Sequence, residues 1–314
     1  MTTLIAGCGD LGLNVAKRLI NKNEPVIALR RHPPDLNPAS LGSKPTSPST
    51  NPASSTFNSA LPAVDLASND LFQWLAADLR DPATLLSLSK IAQNITQVVY
   101  STTPDQRTPE QYRASYLEGL QNLSAALGPD ALVGHKTRRW VFVSSTAVYG
   151  ASTNEWVDET SPTLPDGFNG KVLLETEQFL HQHHQNSIAM RLSGIYGPGR
   201  NQIVQRIQQG LVSAPLEPPH LTNRIHIDDA ARAIEHVLSL EKPDFVYVVT
   251  DLQPLPMHTL YNHIAQQLGA PPVSVGPSLA GMSSKRLSSQ RLVDSGFKHL
   301  WPDARLGYDA LLKA

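Results

Sequence analysis

The sequence predicts an α/β fold, a doubly wound parallel sheet with a small C-terminal α/β lobe, and three observations predict it. Apolar runs of strand length alternate with amphipathic stretches along most of the chain. A glycine-rich turn, Gly7-Cys8-Gly9-Asp10-Leu11-Gly12, stands between the first apolar run and the first amphipathic stretch. The 314 residues, 40% of them hydrophobic, suffice for one large α/β domain or a domain with a small lobe.

The first βαβ unit is read from its pattern. Leu4-Ile5-Ala6 is a strand, Leu11, Val15 and Leu19 share one face of a helix, and Val26-Ile27-Ala28-Leu29 is the next strand. In that setting Gly7 allows the tight turn, Gly9 lets a pyrophosphate approach the backbone, and Gly12 lets helix and strand pack closely. The N–H groups of the helix's first turn face the phosphates, favoured by the helix dipole. Gly7, Gly9, Asp10, Leu11 and Gly12 are therefore expected cofactor-binding residues of a Rossmann fold; the plainer reading is an ordinary glycine-rich turn. An NAD-selective fold places an acid roughly 20 residues past the glycines. Here that position reads Leu29-Arg30-Arg31-His32, with no acid before Asp35. Two guanidiniums there suit a 2′-phosphate, so NADP is expected over NAD. The plainer reading is two solvated arginines at a strand end.

From Pro33 to about Pro62 the composition turns to Pro, Ser, Thr, Asn and Ala, and a flexible insert is expected. Order returns with a third strand around Leu71–Leu75 and then Asp78-Leu79-Arg80-Asp81. A carboxylate just past that strand either meets the adenine side of the cofactor, caps the helix before Pro82, or does both. Gln97–Tyr100 is strand four, and Ser101 and Thr102 beyond it are expected to line the cofactor crevice. A helix runs from about Pro109 through Leu127, then a buried strand Trp140–Val143 leads into Ser144-Ser145-Thr146-Ala147-Val148-Tyr149-Gly150. Another helix is expected over Gly170–His181 and a strand over Ile188–Leu192. The division falls at residues 1–195 for the Rossmann domain and 196–314 for a lobe interleaved with its sheet. In the lobe, helices are expected over Ile203–Val212, around Ile234, Val237 and Leu238, and over Met257–Leu268, beside a strand Phe245–Val249.

The bulk numbers exclude several classes. A formal net charge of −1 supplies no general field for nucleic acid or a membrane surface. No apolar run reaches the length of a transmembrane helix, and the N-terminus enters the first strand at once, leaving no signal peptide. One cysteine, Cys8, excludes an internal disulfide and fits a reducing cytoplasm. Cys8 in the phosphate loop is a redox sensor or, more plainly, a small residue filling a turn. His181-Gln182-His183-His184 is read as a solvated face on a helix's last turn rather than a metal site, and no metal is expected.

Together, Gly7–Gly12, Asp78-Leu79, Ser144–Gly150, Tyr196-Gly197-Pro198 and Arg224–Asp229 resemble the extended short-chain dehydrogenase/reductase family, the NAD(P)-dependent sugar-nucleotide epimerases and dehydratases. The resemblance runs over most of the chain. It implies that Ser145 is the catalytic hydroxyl and that Lys171 holds the nicotinamide ribose. It places Tyr196 beside the nicotinamide, and Thr146, Arg200, Arg224 and His226 toward the substrate, His226 serving as a catalytic or a capping residue. The implied substrate is a small molecule, a nucleotide sugar or another carbonyl compound, and a homodimer is left open.

One departure makes the resemblance that of an atypical member. The family's proton-transferring tyrosine stands one helical turn before the lysine. That position is Gly167, and none of the eight tyrosines precedes a lysine at that spacing. The helix motif usually read as Asn-Val-x-Gly is Tyr116-Leu117-Glu118-Gly119. The expectation is an epimerase/dehydratase-like oxidoreductase with another proton-transfer group, Tyr196 or His226 reaching in from elsewhere. The alternative is a non-catalytic protein that senses NADP(H).

Overall fold

The computed structural model describes residues 1–33, 66, 69–130, 132–133, 136–150, 153–277, 279 and 284–313. Beyond Pro33, the insert expected at 33–62 lies outside the described residues.

The apolar runs form strands β1 (Thr2–Ala6), β2 (Val26–Arg30), β3 (Phe72–Ala76), β4 (Ile95–Tyr100), β5 (Arg139–Ser145), β6 (Ser187–Leu192) and β7 (Val246–Val249). They make one sheet in the order β7-β6-β5-β4-β1-β2-β3, every neighbouring pair parallel. Such a sheet is covered on both faces, which is why these strands read as continuous apolar runs rather than alternating ones. Helix α1 (Asp10–Ile20) buries Leu11, Val15 and Leu19 in one face's core. Tyr100, Trp140 and Phe142 fill the core of the other face. The order reverses between β1 and β4, so a crevice opens at the carboxyl ends of those strands.

Four expectations change. The strand near Phe245–Val249 begins at Val246 and joins the main sheet beside β6, instead of completing the C-terminal lobe. The helix expected over 109–127 is interrupted. Helices α2 (Pro109–Tyr112) and α3 (Gly119–Leu127) flank a π-helical stretch, Arg113–Glu118. There the Tyr100 hydroxyl donates to the Ser115 carbonyl at 2.5 Å. Gly119 permits that approach, since a Cβ would lie 2.5 Å from the same hydroxyl. Helix α4 (Phe168–His183) is longer at both ends than the expected Gly170–His181, with Gly167 at its N-cap. Its end is not wholly solvated, because His184 is buried, stacked near Trp140 and paired with Asp130 at 3.0 Å. The helix expected over 203–212 is shorter, α5 (Gln202–Gln208). It shares a small third core with Tyr196, Leu260, Ile264 and Tyr308. Among the described residues no helix is long and apolar enough to cross a membrane.

Candidate functional site

The three loop glycines stand in three different environments. Gly7 has φ +79°, and a Cβ on it would lie 2.6 Å from the Thr102 Cα, so the turn after β1 and the loop after β4 touch only because it is glycine. Gly12 faces Ile5 and Cys8, where a Cβ would meet atoms at 3.0 and 3.2 Å, and this lets α1 press on β1. Gly9 is different: nothing lies within 4 Å of its Cβ position, because it opens into a cleft. Cys8 is fully buried behind the loop, and burial pushes its thiol up to about 12, which suits a packing residue rather than a redox sensor.

The cleft holds about 430 Å³ at the carboxyl ends of the strands. Of the residues singled out in the sequence, Gly7, Gly9, Asp10, Leu11, Arg30, Arg31, Asp78, Leu79, Ser101, Thr102, Ser145 and Arg200 line it. Thr146, Lys171, Tyr196, Arg224 and His226 lie outside that lining.

Its electrostatics are two sets of ion pairs. At the glycine loop, Arg200 Nε donates to Asp10 Oδ2 at 2.7 Å and its NH2 to Oδ1 at 2.9 Å, while the Leu11 N–H donates to Oδ1 at 2.8 Å. Partial burial raises the Asp10 carboxyl, but the Arg200 and backbone contacts outweigh it and hold the group below its ordinary range. An anionic oxygen therefore already rests on the helix's first-turn N–H and a guanidinium, the donors a pyrophosphate uses. At the other end, Arg31 is bidentate to Asp105 at 2.8 and 2.5 Å, and Arg80 reaches Asp105 at 3.2 Å and Asp78 at 2.8 Å. Arg80's hydrogen bond lowers the Asp78 carboxyl. The two roles foreseen for a carboxylate after β3 are divided. Asp78 faces the cleft, and Asp81 caps the turn at Pro82 by accepting from the Ala83 N–H. The chain's own residues thus fit a molecule carrying phosphates along the glycine loop.

Toward β5 the lining is Tyr116, Ser144, Ser145 and Ser193. Ser145 Oγ accepts from the Ala147 N–H at 3.2 Å, which leaves its proton free to donate into the cleft. Behind it, Ser144 donates to the buried Glu177 at 2.5 Å, Arg191 pairs with Glu177 at 2.7 Å and donates to the Tyr149 hydroxyl at 2.9 Å. A buried pair satisfied on all sides in this way holds the strand ends in one arrangement. Tyr149 itself is spent in that network.

The residues outside the lining have other surroundings. Lys171 is exposed near the start of α4. His226, at the end of a short strand Arg224–His226, caps helix α6 (Ile227–Ser239) by accepting from the Asp228 N–H. It is 4% exposed, packed on Tyr196 and Trp301, and burial lowers its pKa. Tyr196 is buried against Tyr308, and its hydroxyl has no partner among the described residues. Among the described residues the Arg224 guanidinium donates to the Tyr261 hydroxyl, at 3.4 Å. Among the described residues no His, Cys, Asp and Glu group is arranged to hold a metal.

Arg80, Asp105 and Tyr116 are cleft residues that the sequence reading did not assign. Only Tyr116 carried a signal, since it fills the position of the family's motif asparagine.

A family model described as the NAD dependent epimerase/dehydratase family matches residues 3–249. The chain is 31% identical to Protein YeeZ of Escherichia coli over 190 residues, 60% of this chain and 66% of that protein's length. It is 34% identical to a protein of Methylobacillus flagellatus described provisionally as an NAD-dependent epimerase/dehydratase, with a TM-score of 0.72 over 99% of this chain and 97% of that one. A UDP-glucose 4-epimerase of Thermus thermophilus, in complex with NAD, shares the fold at 18% identity, with a TM-score of 0.73 over 100% of this chain and 98% of that one.

Proposed function

The chain belongs to the NAD dependent epimerase/dehydratase family, and we propose that its cleft binds a nicotinamide dinucleotide, NADP in preference to NAD, for redox chemistry on a carbonyl or carbinol substrate. The observation that carries this reading is the glycine loop itself, open at Gly9 and already holding an anionic oxygen on the Leu11 N–H and Arg200. The NADP preference is supported by Arg30, Arg31 and Arg80 lining one end of the cleft, with no acid at the end of β2.

A bound nicotinamide supplies a hydride donor or acceptor. The chain must supply a proton partner, because a carbonyl gaining hydride at carbon gains a proton at oxygen. With glycine at 167, no phenol stands one turn before Lys171, and Tyr196 and His226 are packed outside the cleft lining. We assign the role to Tyr116, the one phenol in that lining, with Ser145 donating to the same substrate oxygen. Burial and the neighbouring Tyr112 push the Tyr116 phenol well above its ordinary value. Such a group keeps its proton at neutral pH, so it is set to donate in the reducing direction. Relatives of the fold include enzymes of nucleotide sugars, and a nucleotide sugar or another carbonyl compound is the substrate class proposed here.

The second reading is a protein that binds NADP(H) without turning it over, favoured by the glycine at 167 and by Lys171 lying outside the cleft lining. Two measurements test the proposal. Titration of NADPH and NADH into the native protein and Arg30→Glu should show NADPH weakened far more than NADH, since a phosphate contact becomes a like-charge clash. Equal losses remove the NADP assignment. Incubation of the loaded protein with nucleotide sugars and simple carbonyls, followed at the nicotinamide absorbance, should show slow turnover; binding with none supports the sensor.

A further inference from the structure

We propose that Asp105 sets the choice between the two dinucleotides: its carboxylate takes the arginine fork that a 2′-phosphate would take, and NADP binds by replacing it. This rests on reading the cleft as a dinucleotide site.

Arg31 directly follows β2, Arg80 follows β3 and Asp105 follows β4, and in the sheet β4 and β2 flank β1 on opposite sides. The Arg31–Asp105 pair therefore spans the mouth of the glycine loop, and all three residues line the same cleft as Gly7 and Gly9. The carboxylate receives both terminal nitrogens of Arg31, at 2.8 and 2.5 Å, and one of Arg80 at 3.2 Å. Two guanidiniums converging on one small anion at the end of β2 is the arrangement that recognises a phosphate monoester on the adenosine ribose. The Arg30 side chain, beside them, is exposed and makes no hydrogen bond or ion pair among the described residues, so a further cation is at hand.

The chemistry of exchange favours a phosphate. Asp105 and Arg31 are 45% and 40% exposed, and ion pairs so exposed are weakly held. A 2′-phosphate brings more charge and three acceptor oxygens to the same donors. NAD, with a hydroxyl there, leaves the pair intact. NADP must break the pair and then sit beside the displaced carboxylate. Both terms oppose NADP alone, so removing the carboxylate should help NADP and leave NAD nearly unchanged.

The test is calorimetric titration of the native protein, Asp105→Asn and Asp105→Ser. The probes are NADP⁺, NAD⁺, adenosine 2′,5′-bisphosphate and 5′-AMP, the last two isolating the adenosine end. Neither variant removes a buried contact, and circular dichroism checks that each remains folded. The expected result is that NADP⁺ and the bisphosphate tighten by about tenfold, while NAD⁺ and 5′-AMP change by less than about twofold. An unchanged NADP⁺/NAD⁺ ratio in variants that still bind overturns this proposal and leaves the cofactor reading standing. A tenfold loss confined to NAD⁺ and 5′-AMP also overturns it, because Asp105 would then be accepting the ribose hydroxyls. A native protein that binds none of the four ligands overturns the cofactor reading and this proposal together.

Discussion

Arg200 holds Asp10 with two hydrogen bonds, 2.7 and 2.9 Å long, joining the turn before α5 to the first turn of α1. Asp10 is the unusual partner, since a carboxylate beside a pyrophosphate repels it. In the proposed dinucleotide site Arg200 would cancel that charge.

Removing the guanidinium should therefore expose the repulsion. Arg200→Ala is expected to weaken NADPH binding about tenfold, the scale of one nearby charge in a partly solvated site. Asp10→Asn in the same protein should recover most of that loss. The double-mutant cycle, read by fluorescence titration, should show this coupling, and additive effects would mean that the pair is only a surface bridge.

The proton-transfer assignment predicts two asymmetric variants. Tyr116→Phe should leave NADPH binding unchanged and lower turnover by about 10²–10⁴-fold on any carbonyl substrate the native protein reduces. Gly167→Tyr should fold, because Gly167 has φ −81° and its Cβ position meets only the end of the Asn169 side chain. Gly170, three residues on, offers no such room: a Cβ there would lie 2.1 Å from the Ala147 carbonyl. Full activity in Tyr116→Phe would return the role to another group.

One buried and four half-buried histidines should make stability fall as the pH drops. His181, His220, His226, His236 and His299 all have pKa values lowered by burial. The unfolded chain binds their protons near pH 6.5, before the folded state does. Stability from these groups is thus complete above about pH 6.5 and falls as the pH drops below it. Asp251 and Glu159, raised by burial, act in the opposite direction. The urea midpoint is expected to fall between pH 7 and 5.5, with the histidines setting the sign. A midpoint that rises over that interval would contradict the balance.

How much of this was legible depends on how local each feature is. Gly7, Gly9 and Gly12 were readable because strand, turn and helix follow one another within a single unit, and the structure gives each a separate environment. The strands were readable because a sheet buried on both faces needs unbroken apolar runs. Arg31 and Asp105 are 74 residues apart and meet only through the sheet order, which no local pattern encodes. The same holds for Arg200 and Asp10, 190 residues apart. His226 was visible as a histidine at a helix start, but only the packing of Tyr196 and Trp301 distinguishes a cap from a cleft residue. The apolar run predicts a strand over Phe245–Val249, while its place beside β6 depends on a pairing partner more than fifty residues away.

That the glycine loop receives the phosphates of a nicotinamide dinucleotide is tested by Gly9→Val. Gly9 has φ −88° and an open Cβ position, so valine should fold without strain while filling the path of the pyrophosphate. NADPH should saturate the native protein in a fluorescence titration, and Gly9→Val, with an unchanged melting curve, should bind at least about tenfold more weakly. Equal affinity in the two proteins, or no saturation by the native one, would contradict it.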